Sequence, residues 1–152
     1  MRPSLLSAVL ALSLTAATKP DKQQWGFTKS DDDVRLYYGV PESEAVTLSF
    51  ICEPKRKKIT IVSLVLPHNP RPKRPGTIKL SNGSSILEYA GMTERDSDDS
   101  GIIFVASISV DQRIFELLEM GTFLQIDSLG SHERVPLHGI KGPLAQMRMM
   151  CR

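Results

Sequence analysis

Between Val46 and Glu53 the chain alternates. Val46, Leu48, Phe50 and Cys52 fall on one parity, and Thr47, Ser49, Ile51 and Glu53 on the other. A period of two is that of a half-buried strand, and it turns Cys52 toward the core. Ile59 to Leu66 is apolar on both parities, as is the first half of Ile102 to Val110. This predicts central strands covered on both faces. Thr77 to Tyr89 reads as a hairpin, because Asn82-Gly83 supplies the positive φ angles of a two-residue type I′ turn. Such a turn sets Leu80 opposite Ser85 and Ile78 opposite Leu87. Ile78, Leu80, Leu87 and Tyr89 then share the buried face, while Lys79 and Glu88 point outward. Further strands are expected at Val34 to Tyr38, Thr122 to Ser128 and Glu133 to Leu137.

A period of 3.6 occurs only twice. Asp111 is placed to cap a short helix with Ile114, Leu117 and Leu118 as its apolar stripe, and Gly121 to end it. A second helix is expected to begin at Pro143, with Leu144, Met147 and Cys151 at spacings of three and four, so that Cys151 also faces inward. Neither an internal repeat nor a domain linker is visible. The expected fold is mainly β, an antiparallel β-sandwich or partly open barrel of about seven strands with a short C-terminal helix. About five or six strands with more helix is the alternative.

The N-terminus adds a compartment. One positive residue, Arg2, is followed by a run from Leu5 to Thr18 without a charge. A spanning helix needs about 20 apolar residues, whereas this run has the length of a signal-peptide core and ends in small residues suited to cleavage near Ala17. Residues 1–17 are therefore read as a signal peptide and 18–152 as a single domain, exported to the periplasm or secreted. No later stretch is long and apolar enough to span a bilayer, so stable membrane insertion is not expected. Cys52 and Cys151 are the only two cysteines, and an even count in an exported chain argues for pairing. They are 99 residues apart. Closing a loop of that size stabilises by about 4–5 kcal/mol in the chain-entropy model. Neither cysteine has the basic or histidine-paired setting that a catalytic thiolate requires.

With 19 Lys and Arg against 17 Asp and Glu, gross charge does not select a partner. Local charge does stand out. Lys55, Arg56, Lys57 and Lys58 precede the strand at Ile59, and Arg71, Lys73 and Arg74 follow it in a segment carrying four prolines, Pro67, Pro70, Pro72 and Pro75. The prolines predict a stiff, extended, polyproline-like arm. These seven cations form a candidate site for an anionic envelope component, such as lipid headgroups or polysaccharide, or for the acidic face of an exported protein. A strand of about eight residues separates the clusters by some 26 Å, so one continuous patch is not required by the sequence. No aromatic residue lies in either cluster to stack on bases, which argues against nucleic acid. A solvated basic loop that guards a sheet edge is the competing reading.

Catalytic and metal chemistry find little support. Asp96-x-Asp98-x-Ser100-Gly101 matches the first half of a calcium loop, but its twelfth position is Ser107 instead of a bidentate Glu, so an acidic hairpin loop is the better reading. Asp31-Asp32-Asp33 reads as a solvated turn. His68, His132 and His138 lack metal-ligand spacing, and Gly130-Ser131-His132 is no nucleophile elbow. No cofactor is expected.

Trp25, Ser49 to Cys52, and Val135-Pro-Leu-His-Gly139 followed by a helix ending at Cys151 together resemble small bacterial exported proteins of uncharacterised function. The layout is distantly similar to the invasion-associated locus B type. The resemblance implies a periplasmic or secreted β-sandwich with a non-catalytic, envelope-associated or host-facing role. The expected function is thus a non-enzymatic, envelope-associated binding module acting through basic loops. The alternative is a protein inhibitor or chaperone-like partner of an exported enzyme. The oligomeric state is open.

Overall fold

The computed structural model describes residues 22–98 and 101–152. The expected signal peptide, and Ser100 of the half calcium loop, lie outside the described residues. The strands are β1 (Gln24–Lys29), β2 (Val34–Gly39), β3 (Val46–Glu53), β4 (Lys58–Ser63), β5 (Pro75–Ser81), β6 (Ile86–Arg95), β7 (Ile102–Ser109), β8 (Phe123–Ser128) and β9 (Ser131–Pro136). Two helices, α1 (Gln112–Glu119) and α2 (Lys141–Met150), complete the domain. All nine strands belong to one antiparallel sheet in the order β1-β2-β3-β4-β7-β6-β5-β8-β9, so the fold is the partly open barrel and not the sandwich.

The sheet curls until its two edges meet at one point, where the indole N–H of Trp25 on β1 donates to the carbonyl of Pro136 on β9 at 2.7 Å. Tyr38, whose ring lies tilted against Trp25 with centroids 5.4 Å apart, feels the same closure. Burial, and then the charge of Glu133 on β9, raises its phenol pKa. Alternation decides what lies inside. Val34, Leu36, Leu48, Phe50, Cys52, Ile59, Ile61, Phe104, Ile78, Leu80, Ile126 and Val135 are buried on the inner face. The apolar stripes of both helices pack against them, with Ile114, Phe115, Leu117 and Leu118 from α1 and Leu144 and Met147 from α2. Fully burying one such side chain stabilises by about 1.5–3 kcal/mol.

The disulfide forms as expected. Cys52 on the inner face of β3 and Cys151 at the end of α2 are both fully buried and bonded, with Cα atoms 6.1 Å apart. It ties α2 to the sheet. Arg148 ties α2 to α1 by pairing with Glu119 and lying over the Phe115 ring. The α1 cap is also as expected, since the Asp111 carboxylate accepts from the Arg113 N–H at 3.0 Å, and Gly121 takes φ +93° just past the helix. Pro143 stands third in α2 instead of first, after Ile140 at the cap.

Three expectations are corrected. The β5–β6 hairpin is joined by four residues, not two, with Ser81 paired to Ile86 and Leu80 to Leu87. Asn82 explains the change. Its Nδ2 donates to the carbonyls of Leu117 and Met120, both at 3.0 Å, and its Oδ1 accepts from the N–H groups of Ser84 and Ser85. Capture of the orphan carbonyls at the end of α1 outweighs the tight turn. The slip is of two positions, so every side chain keeps its predicted face. A two-residue turn with positive φ at both positions occurs elsewhere, at Leu129 (φ 51°) and Gly130 (φ 89°) between β8 and β9. The Leu129 side chain lies over Gly76.

The second correction concerns β4 and β7. Ile59, Ile61, Phe104 and Ala106 are buried, but Val62, Ile103 and Val105 on the opposite face are only half-buried. Both helices go to the inner side, so no helix among the described residues covers the outer one. Third, nine strands form where about seven were expected, all eight marked segments and β1, which hydrophobic alternation alone did not mark.

Candidate functional site

Antiparallel connectivity sorts the charged loops to the two ends of the sheet. One end carries Asp31-Asp32-Asp33 between β1 and β2, together with the 3-10 turn Pro54–Arg56 and Lys57 between β3 and β4, and Lys58 at the start of β4. The other carries the 40–45 loop between β2 and β3, the 64–74 segment between β4 and β5, and residues 96–98 and 101 between β6 and β7. The two basic clusters therefore sit at opposite ends of β4 and form no common patch.

They also differ in their partners. In the first cluster Lys55 pairs with Asp32 at 2.8 Å, and Arg56 and Lys58 both approach Glu53, at 2.9 and 3.8 Å. Lys57 closes the turn in the left-handed conformation, φ 49°. In the second cluster Arg71, Lys73 and Arg74 are exposed and have no carboxylate partner among the described residues.

The arm that carries them is not the extended rod its prolines predict. Asn69 and Lys73 take φ 56° and 60°, and Pro72 followed by left-handed Lys73 has the order of a type II turn. Thr93, fully buried on β6, holds the turn. Its hydroxyl donates to the Arg71 carbonyl at 2.6 Å and accepts from the Arg74 N–H at 2.8 Å. Its carbonyl accepts from the Lys73 N–H at 2.6 Å, and its N–H donates to the Arg74 carbonyl at 2.9 Å. Local satisfaction of backbone groups thus overrides the polyproline preference. No local signal marks Thr93 as the residue that clasps this segment, because it lies some twenty residues beyond it.

The outer face forms a two-lobed groove. The lobes measure about 480 and 590 Å³ and share Arg35, Ser43, Glu44 and Val46. Both volumes fall within the range of small-ligand clefts, about 300–1,000 Å³. In the larger lobe Ile51, Val62, Leu64 and Ile103 make an apolar floor, and Glu44, Glu94, Asp96 and Asp98 stand on its walls with Arg95. Leu64 is 48% exposed, and Met92, opposite Val105, 45%. Asp96 accepts from the Ser97 N–H and its own N–H donates to the Gly101 carbonyl, as an acidic hairpin loop requires. None of the outer-face residues was singled out by the sequence as a site. The only available signal was apolar character on both parities of β4.

The histidines His68, His132 and His138 are all exposed, and no group of three His, Cys, Asp or Glu side chains is arranged to hold a metal among the described residues. No helix among them is long and apolar enough to cross a membrane. Fold and surface together define a disulfide-braced, curled antiparallel β domain with charged loops at both ends and an uncovered outer face. Set against protein-family models, curated proteins and solved structures, the chain matches none of them.

Proposed function

We propose that this protein is an exported, non-enzymatic binding module of the periplasm or cell surface that engages an anionic envelope partner through the arm Arg71–Arg74. The observation that carries the reading is the clasp at Thr93, which holds three exposed cations without carboxylate partners in one bent segment. Cations fixed in this way lose less conformational freedom on binding than cations on a free tail. The 55–58 cluster is the weaker contributor, since its carboxylate neighbours already neutralise much of it. The buried disulfide suits an oxidising compartment.

Reversing Arg71, Lys73 and Arg74 to Glu is expected to weaken co-sedimentation with anionic envelope vesicles and to flatten its salt dependence. Reversal of Lys55, Arg56 and Lys58 is expected to do much less. Unchanged association and salt dependence after the arm reversal would refute the reading. Recovery of one stoichiometric exported enzyme, with no lipid or polysaccharide, would favour an inhibitor or chaperone-like partner instead.

A further inference from the structure

The groove offers chemistry that the basic arm does not. Arg35 lies on the outer face between Thr28 of β1 and Ile51 of β3 and lines both lobes. It pairs with no carboxylate among the described residues, and its Nε is buried without a hydrogen-bond acceptor. The neighbouring outward position on β3, Ser49, is fully buried, and its hydroxyl also lacks a partner. Arg35 thus brings an uncompensated positive charge to the wall of both lobes, and a guanidinium meets a carboxylate best.

The remaining walls narrow the ligand further. Glu44 and Glu94 line the larger lobe with the apolar floor between the strands. A purely anionic molecule is repelled by those carboxylates, and a purely cationic one by Arg35. We infer that the groove receives a short zwitterionic peptide, with its terminal carboxylate on Arg35, apolar side chains on Ile51, Val62 and Leu64, and a cationic group at Glu44 and Glu94. The inference is separate from the role of the arm, because none of Arg71, Lys73 and Arg74 lines either lobe.

The test is titration of the isotope-labelled protein with the tripeptide Lys-Val-Leu and with its C-terminal amide, followed by NMR shift changes. The free acid is expected to move the resonances of Arg35, Ile51, Val62 and Leu64 and to bind at least about tenfold more tightly than the amide, the worth of one charge-assisted pair. Arg35→Gln is expected to erase that difference by weakening the acid alone. The Arg71, Lys73 and Arg74 reversal is expected to leave it intact, which separates this inference from the function proposed for the arm. Equal affinity for acid and amide overturns the inference. So does the absence of shifts at the groove with millimolar free acid, and so do shifts confined to residues 71–74.

Discussion

The two faces of one sheet have had opposite fates. On the inner face Leu36, Leu48, Phe50, Ile59 and Ile61 are wholly excluded from water, covered by two helices and braced by Cys52–Cys151. On the outer face, one residue away on the same strands, Ile51 and Val62 are half-buried, and Arg35 and Ser49 hold polar atoms without partners, with Leu64 exposed just past β4. Adjacent positions on a strand share backbone, register and neighbours, so the contrast isolates what covering a face does. The inner face supplies stability, and the outer face is the one proposed to receive a partner.

The contrast breaks first under truncation. Phe50→Ala on the inner face is expected to cost about 3–5 kcal/mol in urea or thermal unfolding, since a large cavity opens where little can collapse. Replacing both cysteines by serine is expected to cost about 2–5 kcal/mol, with the 99-residue loop no longer closed. Its loss is expected to speed exchange of the α2 amides most. Thr93→Val is expected to cost about 1–3 kcal/mol, because the buried hydroxyl both donates to Arg71 and serves Arg74. Limited proteolysis at Arg71 to Arg74 should rise with it. Val62→Ala on the outer face is expected to cost under about 1 kcal/mol. Should it cost as much as Phe50→Ala, some layer covers the outer face after all.

A smaller effect comes from pH at the start of α1, where Tyr89 donates to Asp111 at 3.5 Å and Arg113 clamps the same carboxylate. Burial, then the charge of Asp111, pushes the Tyr89 phenol up to about 12. A folded pKa above the ordinary value of 10.0 gives stability that is complete below pH 10 and lost as pH rises toward 12. The side-chain hydrogen bond from Arg113 holds the Asp111 carboxyl below its usual 3.8, and that contribution is lost as pH falls through the carboxylate range. Tyr89→Phe is therefore expected to flatten the alkaline limb of a stability–pH profile and leave the acid limb in place.

Much of the inner face was legible in the sequence, because alternation at Val46 to Glu53, the Asp111 cap and the inward turn of both cysteines are local signals. What escaped was set by contacts between distant segments. Asn82 looked like a turn residue and is one, but the end of α1, some 35 residues on, claims its amide and lengthens the loop. Leu129 gave no hint of a left-handed turn, since its reward is packing over Gly76. The prolines of the arm argued for extension until Thr93 bent it. The groove was illegible for a different reason. Apolar residues on both parities of β4 imply two covered faces, and a sequence does not say that both helices will choose the same side.

Trp25 gives the seam between the first and last strands its own optical signal. It is the only tryptophan in the chain, so the whole indole emission originates where β1 meets β9. Parting of the edges moves that ring into water and shifts its emission to the red, while far-ultraviolet dichroism still reports intact strands. A gap between the two transitions would measure how far the barrel unrolls before it unfolds.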